Sequence, residues 1–170
     1  SGSYAEGPFY SRYSADVYLP YFIALRRVTG RDLFGETAVH ALHQWSLNLR
    51  MPNGRRPNVD DGHLDDFYGH YLASIADNGG EFRWDWENNS SGLYVRQVSE
   101  PDAIALYDDS VEPTKPSRQP TVFMPSGGDA VFRSDWTERA TYLLLRGEHG
   151  RPRSSGLSHE HPDETSFLLY

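Results

Sequence analysis

The stretch from residue 111 to residue 146, VEPTKPSRQPTVFMPSGGDAVFRSDWTERATYLLLR, separates two parts of the sequence with different patterns. Its first ten residues hold three prolines and no apolar period, which is typical of a connector. The remainder contains short runs of β-forming residues at 121–124, 130–133 and 141–146, separated by Gly-, Ser- and Asp-rich turns. A further run of this type, at 166–170, predicts a fourth strand.

The sequence before the connector has the pattern of helical hairpins. A stretch rich in Tyr, Leu and Ile from about residue 9 to residue 28 predicts a first helix, in which Pro20 produces a kink or marks a helix start. Apolar residues with a period near 3.6 predict a second helix at 38–49 and a third at about 63–76. Residues 81–89 predict a short aromatic turn.

Helices followed by strands, without alternation, predict an α+β fold in two segregated domains. Stacked hairpins of this kind suggest a helical toroid or solenoid at 1–112, followed by a linker at 113–120 and an antiparallel sandwich of strands at 121–170. Three or four helices form only part of a toroid, and about four strands leave a sandwich open. We therefore expect neither domain to be complete in this chain.

Composition and charge restrict the classes of function. The 170 residues carry 24 acidic and 16 basic side chains, and this net charge of −8 argues against a nonspecific nucleic-acid binder. No apolar run approaches the ~18 residues that cross a bilayer, so we expect no membrane insertion. The absence of cysteine excludes disulfides and thiolate sites. Residues 57–113 include two arginines and thirteen acidic residues. We therefore expect an anionic ligand to bind the first or the last third of the sequence and not this middle third.

The segment HEHPD at 159–163 carries candidate catalytic groups. Two imidazoles two positions apart, with a carboxylate two further on, can transfer protons near pH 7, ligate a divalent metal, or divide these roles. In an extended segment His159, His161 and Asp163 point to one face, because side chains in a strand alternate. The alternative is a polar loop with solvated histidines.

A second candidate segment is YAEGPFYSRY at 4–13. A Gly-Pro turn that opens a helix presents Tyr10 in the first helical turn. There we expect the positive end of the helix dipole and the nearby Arg12 to lower the pKa of the phenol. The alternative is that Tyr10 and Tyr13 pack against the next helix.

Other candidates carry competing structural interpretations. Arg133 is a candidate cation for a substrate carboxylate, or it forms an ion pair with Asp135 or Glu138. His40 and His43 form a candidate metal pair, which is better explained by packing or by solvent exposure. Trp84 and Trp86 form a candidate sugar-stacking platform, which is better explained by packing in the core.

Three motifs follow one another over nearly the whole chain. They are Tyr-x-Glu-Gly-Pro-x-Tyr at 4–10, the strand pair at 132–146, and His-x-His-Pro-Asp-x-x-Ser-Phe-x-Leu-Tyr at 159–170. Together they resemble the motifs of the heparinase II/III-like polysaccharide lyases. The resemblance implies an incomplete α/α toroid followed by antiparallel β-sandwich domains, with a substrate cleft between them. Residues 1–112 then correspond to the C-terminal part of the α/α toroid, and residues 121–170 to the N-terminal part of the antiparallel β-sandwich. This agrees with the helix-then-strand order.

The resemblance also implies roles for individual residues. The catalytic tyrosine of the family corresponds to Tyr10, and the other proton-transfer group corresponds to His159. The second histidine of the pair, a metal ligand in some members, corresponds to His161. An Asn or His that faces the substrate carboxyl group in the family falls upstream of this sequence, so we expect this chain alone to lack a full active site. We assign substrate binding to Glu6, Arg12 and Arg133.

The function implied by the resemblance is β-elimination on a uronic-acid-containing glycan, either alginate or a glycosaminoglycan. The partner is then an acidic polysaccharide or oligosaccharide, in the periplasm or outside a bacterial cell, with the cytoplasm as the alternative. The chemistry needs no cofactor, although His161 suggests a structural zinc or calcium ion. Two alternatives remain open: a noncatalytic glycan-binding protein on the same scaffold, and a metal-dependent hydrolase built on His159, His161 and Asp163.

Overall fold

The computed structural model of the chain describes residues 2–62, 72–88, 105–106, 108–147 and 165–170. Helices come first and strands follow, which confirms the predicted α+β fold class. The helices are α1 (Gly7–Thr29), α2 (Leu33–Glu36), α3 (Val39–Asn48) and α4 (Gly79–Glu87). The strands are β1 (Val122–Met124), β2 (Asp129–Arg133), β3 (Tyr142–Arg146) and β4 (Phe167–Leu169).

The first predicted helix is confirmed as α1. It runs through Pro20 as one helix of 23 residues, so Pro20 lies inside the helix and does not start it. Ala15, Leu19 and Ile23 are buried at intervals of four, which places one side of α1 against the core. Gly30 ends the helix in the left-handed conformation (φ 74°), which glycine adopts without a steric penalty.

The remaining helices agree only in part with the sequence prediction. The second predicted helix is confirmed as α3, whereas α2 has no counterpart among the predictions. The predicted short aromatic turn is wrong for the described part of 81–89, because residues 81–87 belong to α4. Phe82 and Trp86, four positions apart, are buried together on one side of that helix. Most of the predicted helix at 63–76 lies outside the described residues.

The four predicted strands are confirmed as one antiparallel sheet in the order β1-β2-β3-β4. Val131 on β2 pairs with Val122 on β1 and with Leu144 on β3. These residues share the inner face, which packs against the end of α3. The outer face is apolar and exposed at four positions: Phe123, Leu145, Phe167 and Leu169. A second sandwich layer over this face stays a prediction.

Two apolar clusters form the core. The first lies among the helices and includes Leu19, Phe34 and Leu47. The second joins the segment from Trp45 to Val59 to the inner face of the sheet. Its contacts include Trp45, Leu49, Met51, Val131, Tyr142 and Leu144. The helical part and the sheet therefore share buried surface on either side of the connector. Within the described ranges, no helix combines the length and the apolar character that crossing a bilayer requires.

His43 is part of the helical core. Its side chain is fully buried, its Nε2 lies 2.8 Å from the Tyr18 hydroxyl, and its ring stacks on Phe34. Burial lowers the pKa of His43 to about 3, with a smaller contribution from His40. His43 is therefore a neutral core residue, which agrees with the packing interpretation of the histidine pair.

The buried histidine predicts a loss of stability in mild acid. The folded pKa of about 3 lies below the ordinary value of 6.5, so between these values only the unfolded chain binds the proton. The contribution of His43 is complete above about pH 6.5 and decreases as the pH falls, by about 1.4 kcal/mol per pH unit. Urea unfolding of the full-length protein from about pH 7 to about pH 5 measures this slope.

The matched variant is His43→Gln, which keeps a polar partner for the Tyr18 hydroxyl and does not titrate. We expect its free energy of unfolding to depend less on pH by about the same slope. An identical pH dependence in the two proteins would contradict the assignment of this acid sensitivity to His43.

Candidate functional site

Tyr10 lies in the first turn of α1, as the sequence predicts. The turn that opens the helix is closed by the Gly7 N–H, which donates to the Tyr4 carbonyl at 3.1 Å. The Tyr10 side chain is half-buried, and its ring makes edge contacts with Phe9 and Tyr13 at centroid distances of 5.1 and 6.5 Å. Glu6 precedes the helix at its N-cap position. The structure therefore fixes the backbone that carries Tyr10.

The pKa of the Tyr10 phenol is raised, and the prediction that Arg12 lowers it is wrong. Desolvation raises the pKa most, and the charges of Asp61 and Glu6 raise it further. Arg12 is two positions along the helix and so does not face Tyr10. Its guanidinium lies 3.5 Å from the carboxylate of Asp16. Tyr10 is therefore a protonated phenol at neutral pH.

Asp60 lies against the opening of α1. Gly7 has a positive φ of 78°, and a Cβ atom at this position would lie 2.7 Å from Asp60 Oδ2. Asp60 itself has a positive φ of 53°, which is uncommon for a residue with a side chain. Its Oδ2 accepts a hydrogen bond from Arg146 Nη1 at 2.9 Å, and both side chains are buried. The helix opening is thus in contact with a buried ion pair to β3.

The ion pair continues into a network that reaches α3. Arg146 Nε lies 3.6 Å from Asp129 Oδ1 on β2. Asp129 Oδ2 accepts a hydrogen bond from Trp45 Nε1 at 2.9 Å. Burial raises the pKa of Asp129, and the charge of Arg146 and the Trp45 hydrogen bond oppose that shift. The buried network therefore joins the start of α1, two strands and α3.

The segment that contains the predicted His-x-His pair leaves the sheet at Arg146. The Arg146 N–H donates to the Ser166 carbonyl at 3.0 Å, and the Thr165 N–H donates to the Arg146 carbonyl at 2.8 Å. Thr165 has a positive φ of 63°. Both ends of the connection from β3 to β4 therefore meet at the residue whose side chain binds Asp60. His159, His161 and Asp163 lie outside the described residues, and their roles stay predictions.

Arg133 is 7% exposed and faces the interior. Its Nη2 donates to the Asn48 carbonyl at the end of α3, and its guanidinium lies 4.1 Å from the centre of the Trp136 ring. Burial lowers the pKa of Arg133 to about 10. The expected ion pair is wrong, because Asp135 and Glu138, both described, make none with this guanidinium. Substrate binding by Arg133, like that by Glu6 and Arg12, stays a prediction.

The tryptophan pair does not form an open platform. Trp86 is 3% exposed, and Trp84 carries the guanidinium of Arg50 at 4.5 Å from its ring centre. Arg50 Nε also donates to Asp85 Oδ1 at 2.7 Å, and Arg56 Nη2 donates to Asp85 Oδ2 at 2.5 Å. This buried triad fixes one side of α4 against the segment that carries the two arginines. Sequence reasoning missed the triad, because no local pattern pairs these residues.

A metal site is not visible in the described part of the chain. No group of three or more His, Asp or Glu side chains there lies close enough together to hold a metal ion. His161 falls outside that part, so the zinc or calcium prediction has no test here.

Comparison with known proteins gives a fold and no family. No protein-family description matches the sequence, and no curated protein does. The structure is similar to that of heparan sulfate lyase HepC from Pedobacter heparinus, with a TM-score of 0.62 at 18% identity. The structure of a HepC mutant matches with a TM-score of 0.62 at 17% identity, and a heparinase III structure matches with a TM-score of 0.60 at 16% identity. The fold is shared with heparan sulfate lyases.

The similarity to these lyases extends over almost all of the present chain and a minor part of theirs. It covers 99% of this chain and 24% of each of the three lyase chains. The chain thus spans about a quarter of the length of the lyases that it matches. The order of helices and strands read from the sequence agrees with this shared fold.

The close approach of Gly7 to Asp60 predicts a position-specific cost of adding a methyl group. Gly7→Ala and Gly30→Ala are matched variants, because Gly7 begins α1 and Gly30 caps its end, each at a positive φ, of 78° and 74°. A Cβ at Gly30 meets nothing within 4 Å. Both variants lose about 1 kcal/mol of stability, because alanine is disfavoured in the left-handed conformation, and Gly7→Ala also displaces Asp60.

We expect Gly7→Ala to lower the free energy of unfolding by about 1 to 3 kcal/mol more than Gly30→Ala does, as overpacking of a buried site does. Denaturant unfolding of both full-length variants measures the difference. Equal losses would show that Asp60 does not pack tightly against the helix opening.

Proposed function

We propose that this chain forms part of a polysaccharide lyase that cleaves a uronic-acid-containing glycan by β-elimination. Tyr10 is the proton donor and His159 is the base. The observation that carries the proposal is the contact of the Tyr10 helix opening with Asp60, which binds the arginine at the base of the segment that contains His159. The fold shared with heparan sulfate lyases supports this class of reaction.

The reaction removes the proton at C5 of the uronate and breaks the bond from C4 to the bridging oxygen. His159 takes the C5 proton, and the electron pair of the C–H bond forms the C4–C5 double bond. The bridging oxygen leaves with the electrons of the C4–O bond and takes the proton of the Tyr10 hydroxyl. The products are an unsaturated uronate and a new chain end, and no water is added.

The environment of Tyr10 suits the role of acid. Its raised pKa keeps the phenol protonated at neutral pH, and the leaving oxygen is a stronger base than phenolate. After one turnover His159 holds an additional proton and Tyr10 lacks one, so exchange with solvent restores both groups. Where the C5 proton and the leaving oxygen lie on the same face of the sugar, Tyr10 serves both steps only after its phenol loses a proton, which the raised pKa disfavours.

The substrate that we propose is an acidic glycan of low sulfate density, alginate-like or lightly sulfated. The chain carries one lysine and a net charge of −8, which disfavours a densely sulfated polymer. A polymer substrate is encountered outside the cytoplasm, so we propose a periplasmic or secreted bacterial enzyme. His161 is a proposed ligand of a structural metal, and no step of the reaction uses that metal.

Replacement of Tyr10 by Phe removes only the hydroxyl that is proposed to donate the proton. We expect kcat of the full-length enzyme on uronans to fall by at least about a hundredfold, with unchanged unfolding, because general acid catalysis contributes this much or more. The matched control is Tyr13→Phe, because Tyr13 is exposed and its ring contacts Tyr10. We expect kcat of the Tyr13→Phe variant to be unchanged. The measurement is the absorbance of the conjugated alkene in the product.

Three outcomes would contradict the proposal in different ways. Equal activity of Tyr10→Phe and the wild type would remove Tyr10 from the chemistry. Saturated products that require a metal would favour the hydrolase alternative. Binding of uronans without any unsaturated product would favour a noncatalytic glycan-binding protein.

The charge of Asp61 predicts a shift in the alkaline limb of the pH profile. Asp61 raises the pKa of Tyr10, so Asp61→Asn removes a charge that disfavours phenolate and lowers this pKa. Because the acid must be protonated, we expect the activity of the variant to decline at a lower pH than that of the wild type. Coincident alkaline limbs in kcat/KM would show that Tyr10 does not titrate as the essential acid.

A further inference from the structure

A cavity of about 390 Å³ lies between α3 and the turn from β1 to β2. This volume is within the range of about 300 to 1,000 Å³ that is typical of small-molecule sites. One wall is α3, the other is the β1–β2 hairpin, and residues 2–3 lie at the border. The described lining includes no residue of α1, and Tyr10 is not among the lining residues.

A row of polar side chains lines the α3 wall. His40, Gln44 and Asn48 follow one another at one-turn intervals on the helix, and all three line the cavity. Gln44 Nε2 donates to Asn48 Oδ1 at 3.4 Å. Asn78, which is not a lining residue, bonds to two members of the row. Its Nδ2 donates to Gln44 Oε1 at 3.0 Å, and its Oδ1 lies 3.3 Å from His40 Nε2. These hydrogen bonds hold the row in place before a ligand arrives.

The opposite wall is largely apolar. Val122, Met124 and Pro125 come from the hairpin, and Trp45 of α3 packs in one apolar cluster with Val122 and Met124. The indole N–H of Trp45 donates to Asp129, so only the apolar ring of Trp45 contributes to the cavity lining. A site with one apolar wall and one row of amides and imidazole fits a pyranose ring, whose C–H face is apolar and whose edge carries hydroxyl groups.

The charge of the lining also fits an acidic sugar. The described lining residues include no Asp or Glu, although the chain as a whole carries 24 acidic side chains. The side-chain amide N–H groups of Gln44 and Asn48 are donors that a carboxylate accepts. A uronate therefore meets donors in this cavity without a repelling carboxylate in the wall.

We propose that this cavity is a carbohydrate subsite that binds one pyranose residue of the glycan at a distance from the bond that is cleaved. Gln44 and Asn48 bind its polar edge, and the hairpin side covers its apolar face. The identity of the glycan rests on the proposed lyase function. The subsite acts on affinity and on preference for chain length, and it takes no part in proton transfer.

The test is the binding of uronan oligosaccharides of increasing length to the full-length protein by titration calorimetry. Gln44→Ala removes the central amide, and Ser126→Trp fills the cavity from an exposed position on its rim. We expect Gln44→Ala to weaken binding of the longer oligosaccharides by about fivefold to tenfold, the effect of about one hydrogen bond, and Ser126→Trp to weaken it at least as much by excluding the sugar. The matched control is Gln119→Ala, an exposed glutamine on the connector that does not line the cavity, which leaves binding unchanged.

The outcomes separate this subsite from the lyase proposal. Binding that depends on Gln44, without any unsaturated product, supports the subsite and contradicts the lyase. Cleavage of a uronan, with unchanged binding in both cavity variants, supports the lyase and contradicts the subsite. A wild-type protein that binds none of the oligosaccharides contradicts the subsite, whatever its activity.

Discussion

The buried ion pair between Arg146 and Asp60 is the contact on which the arrangement of the site depends. Asp60 lies against Gly7 at the opening of α1, and Arg146 ends β3 and approaches Asp129 on β2. Trp45 of α3 then binds the same Asp129. Loss of either partner of such a pair leaves an uncompensated buried charge, which costs about 3 to 5 kcal/mol. Geometry at the helix opening and geometry at the sheet therefore depend on each other.

The strain at this junction is consistent with a functional role. Asp60 and Thr165 are the non-glycine residues with positive φ among those described, and both contact Arg146. Strained residues persist where the surroundings over-determine them, and they cluster at binding and catalytic sites. Here one arginine holds both the approach to the Tyr10 helix and the two ends of the β3–β4 connection. Tyr10, whose raised pKa keeps it protonated, lies in the first turn of that helix.

Local patterns predicted what local physics determines. The helices α1 and α3 and the four strands follow from apolar periodicity and turn residues, and the placement of Tyr10 in a helix opening follows from Gly7-Pro8. Contacts distant in sequence were missed. Nothing in the sequence pairs Arg146 with Asp60, 86 positions away, or places two arginines on Asp85 to stabilise α4.

Proximity in sequence also misled where helix geometry separates neighbours, as with Arg12 and the pKa of Tyr10.

The measurement that tests the central claim most directly is a crystal structure of the full-length Tyr10→Phe protein with a bound uronan oligosaccharide. Position 10 and the His159 ring should flank one glycosidic bond, within about 10 Å of each other. A separation of more than about 15 Å, with no sugar between the two side chains, would contradict the assignment of both residues to one reaction.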